Sequence, residues 1–424
     1  MNRAQHFSYR GYHVDGSTIT ATYDLDGIPF VERVEVPDAD LTHPAVDAII
    51  ELWYLLAGLS YYKTGAASVV DFGGHHVGPE ALALVRAAYL DGLGEFAYRN
   101  GLDLSDISFV GAGPASDTVA ITPSDRVLIP FGGGIDSCVT VEALSHLDRT
   151  LFVMSPAHAT FAPLEATAAV TGLPIARVSR HLDLEALRSH SRFNGHVPVT
   201  AMVTLLACVR ALSDGLGGVV MSNEHSASVP NVISDGRPIN HQWSKSAEAE
   251  VLLANAIRER VGASFTVASF LRDRSELWVA KEFSALTHFH PVFRSCNRAF
   301  TQDQASRAVS WCGHCDKCLF INLVLAPFVN RTTLATIFAS EPLANPTLRG
   351  QLETLVGTGV NDKPFECVGD PTECAVALIA VAADSQWSDV PALADIAASL
   401  SPSPSLQELL EPQGVSRVPT AWLR

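Results

Sequence analysis

Basic residues are scarce in this sequence: 29 Lys and Arg stand against 45 Asp and Glu, leaving a net charge of −16. Binding to nucleic acid depends on cations that neutralise phosphates, so this balance argues against a general affinity for DNA or RNA. A small anionic substrate remains compatible, provided a few Arg and Lys line one pocket. Long apolar runs are missing too. The longest, residues 319–329 and 375–383, fall well short of the ~20 residues needed to cross a bilayer. There is no repeat of fixed period, and the one biased stretch, the Ser- and Pro-rich 399–405, reads as a solvated turn. The opening Met1-Asn2-Arg3-Ala4-Gln5-His6 runs into polar and aromatic residues, with no apolar segment of a secretory leader. The expectation is a cytoplasmic protein with neither membrane nor nucleic-acid partners. In that compartment eight cysteines do not make a disulfide framework. Three of them, Cys312, Cys315 and Cys318, crowd together and call for a chemical explanation.

At 424 residues and 47% apolar content the chain should hold about two or three globular domains. Residues 1–123 open with strand-like alternation at 18–23 and 30–36, then show helical periodicity at 46–59 and 81–90. That predicts an N-terminal α+β domain. Residues 124–333 alternate short apolar strands, at 126–131, 151–154, 174–178 and 219–221, with helical patterns. One such helix carries Val199, Met202, Val203, Leu206 and Val209 on one face. Such alternation predicts a doubly wound parallel sheet, with ligands at the carboxyl ends of its strands. The polar segment 223–245 precedes a helix beginning near Ser246 and reads as a long loop; loops beyond ~15 residues are often lids or binding loops. Residues 334–424 read as a helical C-terminal region, with 375–383 an apolar helix or a buried strand.

Three groups of residues carry chemistry. Gly132-Gly133-Gly134-Ile135-Asp136-Ser137 follows a predicted strand and opens a helix, where backbone amides and the helix dipole favour an anion. Ser137 offers a hydroxyl to a phosphate oxygen or a metal-bound water, and Asp136 can orient the loop or hold Mg²⁺ through water. A turn that binds nothing is the alternative. No Gly-Lys-Ser/Thr follows and the G-x-G-x-x-G spacing is absent, so neither a Walker loop nor a dinucleotide fingerprint is present. The second group, Cys312-x-x-Cys315-x-x-Cys318, sets three thiolates on a tight knuckle suited to structural Zn²⁺. Cys296 and His314 compete for the fourth position, and a redox dithiol or plain buried cysteines are the alternatives. The third is the polar cluster Asn223, Glu224 and His225 with Asn240-His241-Gln242-Trp243-Ser244-Lys245-Ser246, which suits a carboxylate or an α-phosphate. A solvated surface loop competes for any single residue, but Trp243 amid polar neighbours suggests partial burial.

The glycine loop resembles the Ser-Gly-Gly-x-Asp-Ser loop of the N-type ATP pyrophosphatases, with Gly132 replacing the usual first Ser. That departure removes a hydroxyl and leaves the amide cradle. A zinc knuckle after such a core also resembles the 7-cyano-7-deazaguanine synthases. Taken with Tyr61-Tyr62-Lys63, residues 240–250 and 311–328, and Lys363-Pro364-Phe365-Glu366-Cys367-Val368-Gly369, the chain resembles the UDP-N-acetyl-α-D-muramoyl-L-alanyl-L-glutamate epimerases. The resemblance implies an ATP pyrophosphatase core that uses ATP and Mg²⁺ to adenylate the terminal L-Glu of UDP-MurNAc-L-Ala-L-Glu and invert it. In that reading Gly132, Gly133, Gly134, Asp136, Ser137, Ser155, Asn223 and Glu224 bind ATP. Tyr62, Lys63, Asn240, His241, Gln242, Ser244 and Lys245 bind substrate, and Cys296, Cys312, Cys315 and Cys318 hold Zn²⁺. Asp136, Lys245, Cys367 and Glu366 are the catalytic candidates; for Cys367 a buried structural role is the competing reading. A carboxylate-adenylating ligase, a deazaguanine-type synthase and a non-catalytic nucleotide sensor remain the alternatives to an epimerase.

Overall fold

The structure is a computed structural model that describes residues 2–155, 160–299, 307–308, 310–401 and 403–423. Its strands are β1 (His6–Asp15), β2 (Thr18–Leu25), β3 (Ile28–Glu35), β4 (Val69–Asp71), β5 (Ser108–Val110) and β6 (Val127–Pro130). They continue with β7 (Arg149–Ser155), β8 (Ile175–His181), β9 (Gly218–Met221), β10 (Val232–Ser234), β11 (Arg237–Ile239) and β12 (Thr266–Ser269). Ten of them form one sheet in the order β12-β9-β6-β7-β8-β3-β2-β1-β4-β5.

Five neighbouring strands, β12, β9, β6, β7 and β8, are parallel. The chain enters this half at β6, moves outward through β7 and β8, then returns to β9 and β12 on the other side. The order therefore reverses between β6 and β9, where such sheets open a ligand crevice. Both sheet faces are covered, which is why β9 is buried throughout. Alternate side chains serve opposite cores: Leu128 joins the N-terminal cluster, while Val127 and Ile129 join the C-terminal one. At the far edge β8 pairs antiparallel with β3, so the sheet runs on into the meander of β3, β2 and β1. In β2 the inward residues are Ile19, Ala21, Tyr23 and Leu25, the period of two expected of a half-buried strand. The helix Pro44–Ala57, capped by His43 and opened by proline, packs on that face, with Tyr23 and Tyr54 stacked at 5.0 Å.

The predicted strands at 126–131, 151–154, 174–178 and 219–221 correspond to β6 to β9, and the fifth parallel strand, β12, was not anticipated. Its sequence, Thr-Val-Ala-Ser, has a polar residue at each end and only two apolar ones between, so it forms no apolar run. Segment 223–245 is not one long loop. It contains a hairpin, β10 and β11, turned at Asp235-Gly236 with positive φ at both residues, the two-residue turn whose twist matches its strands. Residues 375–383 lie within the helix Pro371–Ala383, which starts from an Asp370 cap and a proline. Among the described residues no helix is long and apolar enough to cross a membrane.

Candidate active site

β6 delivers the glycine loop to the switch point. Gly133 has a φ of +73°, a conformation that a side chain would strain. At Gly134, which caps the helix Ile135–Ala143, a Cβ would meet Ser295 Oγ at 2.7 Å. Ser137 turns its hydroxyl back onto the loop, donating to Gly134 O at 3.1 Å. Asp136 behaves differently: its Oδ1 is buried without a partner. The carboxylates of Asp136, Glu224 and Glu276 bring one oxygen each within 4.8 Å of the others. Burial, and next the charge of Glu224, push Asp136 up to about 7, while Lys317 and Lys245 oppose the shift. Burial, and next the charges of Asp136 and Glu224, hold Glu276 well above the usual carboxylate range. An orphaned oxygen in a crowd of carboxylates is the donor set a hard divalent cation takes.

Arg272 organises the wall beside this cluster. Nearly fully buried, it donates to Glu250 at 2.7 Å, to Glu224 O at 2.9 Å and to Lys245 O at 2.7 Å. Ser269 at the end of β12 donates to Asn223 O at 2.7 Å and accepts from Asn223 N at 2.5 Å. Much of the polar segment holds itself in place. Asn240 accepts from Gln242 N and donates to Ala227 O, Gln242 donates to Val368 O, Ser244 is buried, and Trp243 donates to Glu248. Burial of Trp243 agrees with the expectation from sequence.

Lys245 and His241 point toward the C-terminal segment. Lys245 Nζ lies 3.9 Å from Cys367 Sγ. His241 neighbours Cys367, and its Nδ1 lies 2.5 Å from Glu95 Oε2. Burial pushes the Cys367 thiol up, but Lys245, His241 and Lys317 together bring it down to about 6. Burial lowers His241, yet Cys367 and Glu95 raise it to about 9. The His196 ring packs tilted against His241 at 4.2 Å, and its pKa falls to about 4, first through burial and then through the charge of His241. The neighbour Glu366 accepts from Asn297 Nδ2 at 2.5 Å; burial and then Asp316 raise its carboxyl. Lys63 sits on the His196 side, donating to Gly195 O at 3.0 Å, its ammonium lowered by burial. Tyr62 is elsewhere: fully buried, it donates to Ala67 O at 2.9 Å and packs edge-on against Phe7 and Tyr89 in the N-terminal core. Ser155 ends β7 in register with Ser179.

The sulfurs of Cys296, Cys312, Cys315 and Cys318 cluster within 4.8 Å, with separations of 4.0 Å (Cys296 to Cys315), 3.6 Å (Cys312 to Cys318) and 3.4 Å (Cys315 to Cys318). A tetrahedron of thiolates at the usual zinc–sulfur distance has edges of about 3.8 Å, so the set fits that ion. The fourth position goes to Cys296; His314 is exposed, with Nδ1 2.6 Å from Cys312 O.

Sequence reasoning missed Glu95, His196, Arg272, Glu276 and Lys317. Only Lys317, inside the cysteine knuckle, lay beside a motif; the others reach the site through tertiary packing.

Comparison with known proteins followed the same boundaries as the sheet and its C-terminal helices. Residues 1–270 match the MurL N-terminal domain and residues 292–410 the MurL C-terminal domain. A protein of Salinispora tropica named UDP-N-acetyl-α-D-muramoyl-L-alanyl-L-glutamate epimerase is 39% identical over 409 residues, covering 92% of this chain and 88% of its own length. Proteins of the same name from a Micromonospora species and from Xanthomonas oryzae pv. oryzae are 38% and 36% identical. They cover 92% and 97% of this chain, and 90% and 94% of their own lengths. No solved structure matches the chain.

Proposed function

The chain belongs to the UDP-N-acetyl-α-D-muramoyl-L-alanyl-L-glutamate epimerase family, and from that premise we propose that it inverts the terminal L-Glu of UDP-MurNAc-L-Ala-L-Glu to D-Glu, making a peptidoglycan precursor in the cytoplasm. We read the parallel half of the sheet as an N-type ATP pyrophosphatase core, with units at 1–123, 124–333 and 334–424; its strand order and glycine loop support the first part of that reading.

The chemistry starts from a weak acid. An α-proton beside an ionised carboxylate resists removal, because the enolate would gather further negative charge. Transfer of AMP from ATP to the carboxylate, with release of pyrophosphate, removes that charge and opens an electron sink. The loop amides of residues 132–134 and the helix N-terminus would receive phosphate oxygens, with Ser155 and Asn223 at the neighbouring strand ends. Asp136, Glu224 and Glu276 would hold Mg²⁺, which supplies charge neutralisation at the phosphates. Lys245 and Lys317 would stabilise negative charge developing there. Cys367, already favouring its thiolate, would take the α-proton. Glu366, whose raised carboxyl keeps its proton, would return one from the opposite face, and water would then release AMP. The split between a lowered thiol and a raised carboxyl is the pattern of an assigned base and acid. The cysteine site would hold a structural Zn²⁺ that fixes the helix carrying Lys317.

One observation carries this reading: Lys245, 3.9 Å from the sulfur of an acidified thiol, also acts through its charge on the Asp136, Glu224 and Glu276 carboxylates that cluster within 4.8 Å. Incubation with ATP, Mg²⁺ and UDP-MurNAc-L-Ala-L-Glu, followed by hydrolysis and chiral resolution, should yield D-Glu together with AMP and pyrophosphate. Recovery of L-Glu alone would overturn it. Pyrophosphate release without inversion would point to a ligase.

A further inference from the structure

Behind Cys367 lies a buried acid–imidazole pair that no step above uses. Glu95 is 5% exposed, and its carboxylate oxygen lies 2.5 Å from His241 Nδ1. With Nδ1 committed to Glu95, Nε2 is the nitrogen left to serve the thiol. Each member is held by other groups. Arg99 Nε stands 2.7 Å from the second Glu95 oxygen. The backbone N–H of His241 donates to Asn231 Oδ1 at 2.8 Å, and Asn231 donates to Pro364 O at 2.6 Å, so the imidazole and the Cys367 segment share one anchor. Arg99 also lies over the Phe365 ring at 4.8 Å, tying the helix that bears Glu95 to the segment that bears Cys367.

His196 completes a trio whose ligand atoms fall within 4.8 Å, the donor set of a metal site. The 2.5 Å approach of Glu95 to His241 argues for a proton between them: ligand atoms around an ion at ~2.1 Å spread to about 3 Å or more. A sulfur, an imidazole and a carboxylate in series form the arrangement that activates a thiol and orients its partner.

We propose that Glu95 and His241 are positioning residues for inversion. Glu95 sets the tautomer and charge of His241, and the imidazolium so held keeps the Cys367 sulfur as the thiolate that takes the α-proton. The inference rests on Cys367 being the base in the reading above. Because His241 and Cys367 are close neighbours, they approach the α-carbon from one side, and His241 is not the acid of the opposite face. Lys245 and Lys317 also favour the thiolate, whereas Asp136 and Glu366 oppose it; loss of Glu95 should therefore weaken the effect without abolishing it.

The test reads the thiol directly. The full-length, zinc-loaded protein is alkylated with iodoacetamide across pH 5 to 10, and modification of Cys367 is followed by peptide mass spectrometry. Exchange of the substrate α-proton with deuterated water is measured in parallel. E95Q and H241N should move the alkylation midpoint upward by about one pH unit or more, a roughly tenfold loss of thiolate below the midpoint. Exchange at pH 6 should fall by a similar factor and recover toward the parent rate at pH 9, and E95D should restore part of both. An unmoved midpoint in both variants, with C367A inactive in exchange, overturns the positioning role alone. Parent-rate exchange in C367A overturns the base assignment and with it this positioning role of the pair.

Discussion

Replacing Cys367 with alanine should separate adenylation from inversion. Burial alone would keep this thiol protonated, but Lys245 at 3.9 Å, the neighbouring His241 and Lys317 bring it down to about 6. At pH 7 about nine in ten such thiols are ionised, against roughly 3% for an ordinary cysteine near 8.5. Because the shift is downward, the basic form is present above about 6 and is lost as the pH falls through that value. At pH 5 only about one in ten remains, so α-proton exchange should run roughly tenfold slower than at pH 7. Loss of a positioned base costs about 10²–10⁴ in rate, or about 3–5 kcal/mol of barrier. Exchange in deuterated water should fall by that factor in C367A, while pyrophosphate release in the same reaction continues. Parent-rate exchange in C367A would refute the reasoning and turn attention to His225 and His241. An exchange profile that rises through pH 8.5 in the parent protein would refute the acidified thiol.

Asp136→Asn should reduce pyrophosphate release by at least about a hundredfold while holding or raising the thermal midpoint, since it relieves repulsion among three crowded carboxylates; unchanged release would remove the glycine loop from the mechanism. Purified protein should contain about one zinc per chain, and chelation or Cys315→Ser should lower its melting temperature; a zinc-free preparation of full stability would contradict the thiolate site. Arg272→Met leaves the Glu250 carboxylate buried and unpaired, which should cost about 3–5 kcal/mol in urea denaturation, with much of the loss recovered when Glu250→Leu is added. An unmoved denaturation midpoint would show that the pair does not hold the wall of the site.

The glycine loop, the cysteine knuckle and four of the five parallel strands were legible because each is written in adjacent residues. A run of glycines after an apolar strand, a C-x-x-C-x-x-C spacing and an alternation of strand and helix patterns need no knowledge of what lies across the sheet. Asp235-Gly236 was equally local, yet its polar surroundings masked the hairpin it makes. Tyr62 shows the opposite limit. The family resemblance of Tyr61-Tyr62-Lys63 implied a binding position for it, and packing against Phe7 and Tyr89 placed it in the core.

By itself, then, the sequence determined a strand–glycine loop–helix segment, a cysteine cluster, an acidic chain without membrane-spanning runs, and a family likeness that the comparisons bear out. Tertiary structure alone decided which single residues meet. Glu95, His241 and Cys367 lie far apart in the chain but come together in one cluster, and Glu276 joins Asp136 and Glu224 only because β6 and β9 are neighbours and the helix Glu276–Ala285 follows β12. The pairing of β3 with β8 was decided in the same way. Backbone hydrogen bonds between strands bear no mark of residue type, and the charges that acidify a buried thiol act through space, so neither leaves a local pattern to read.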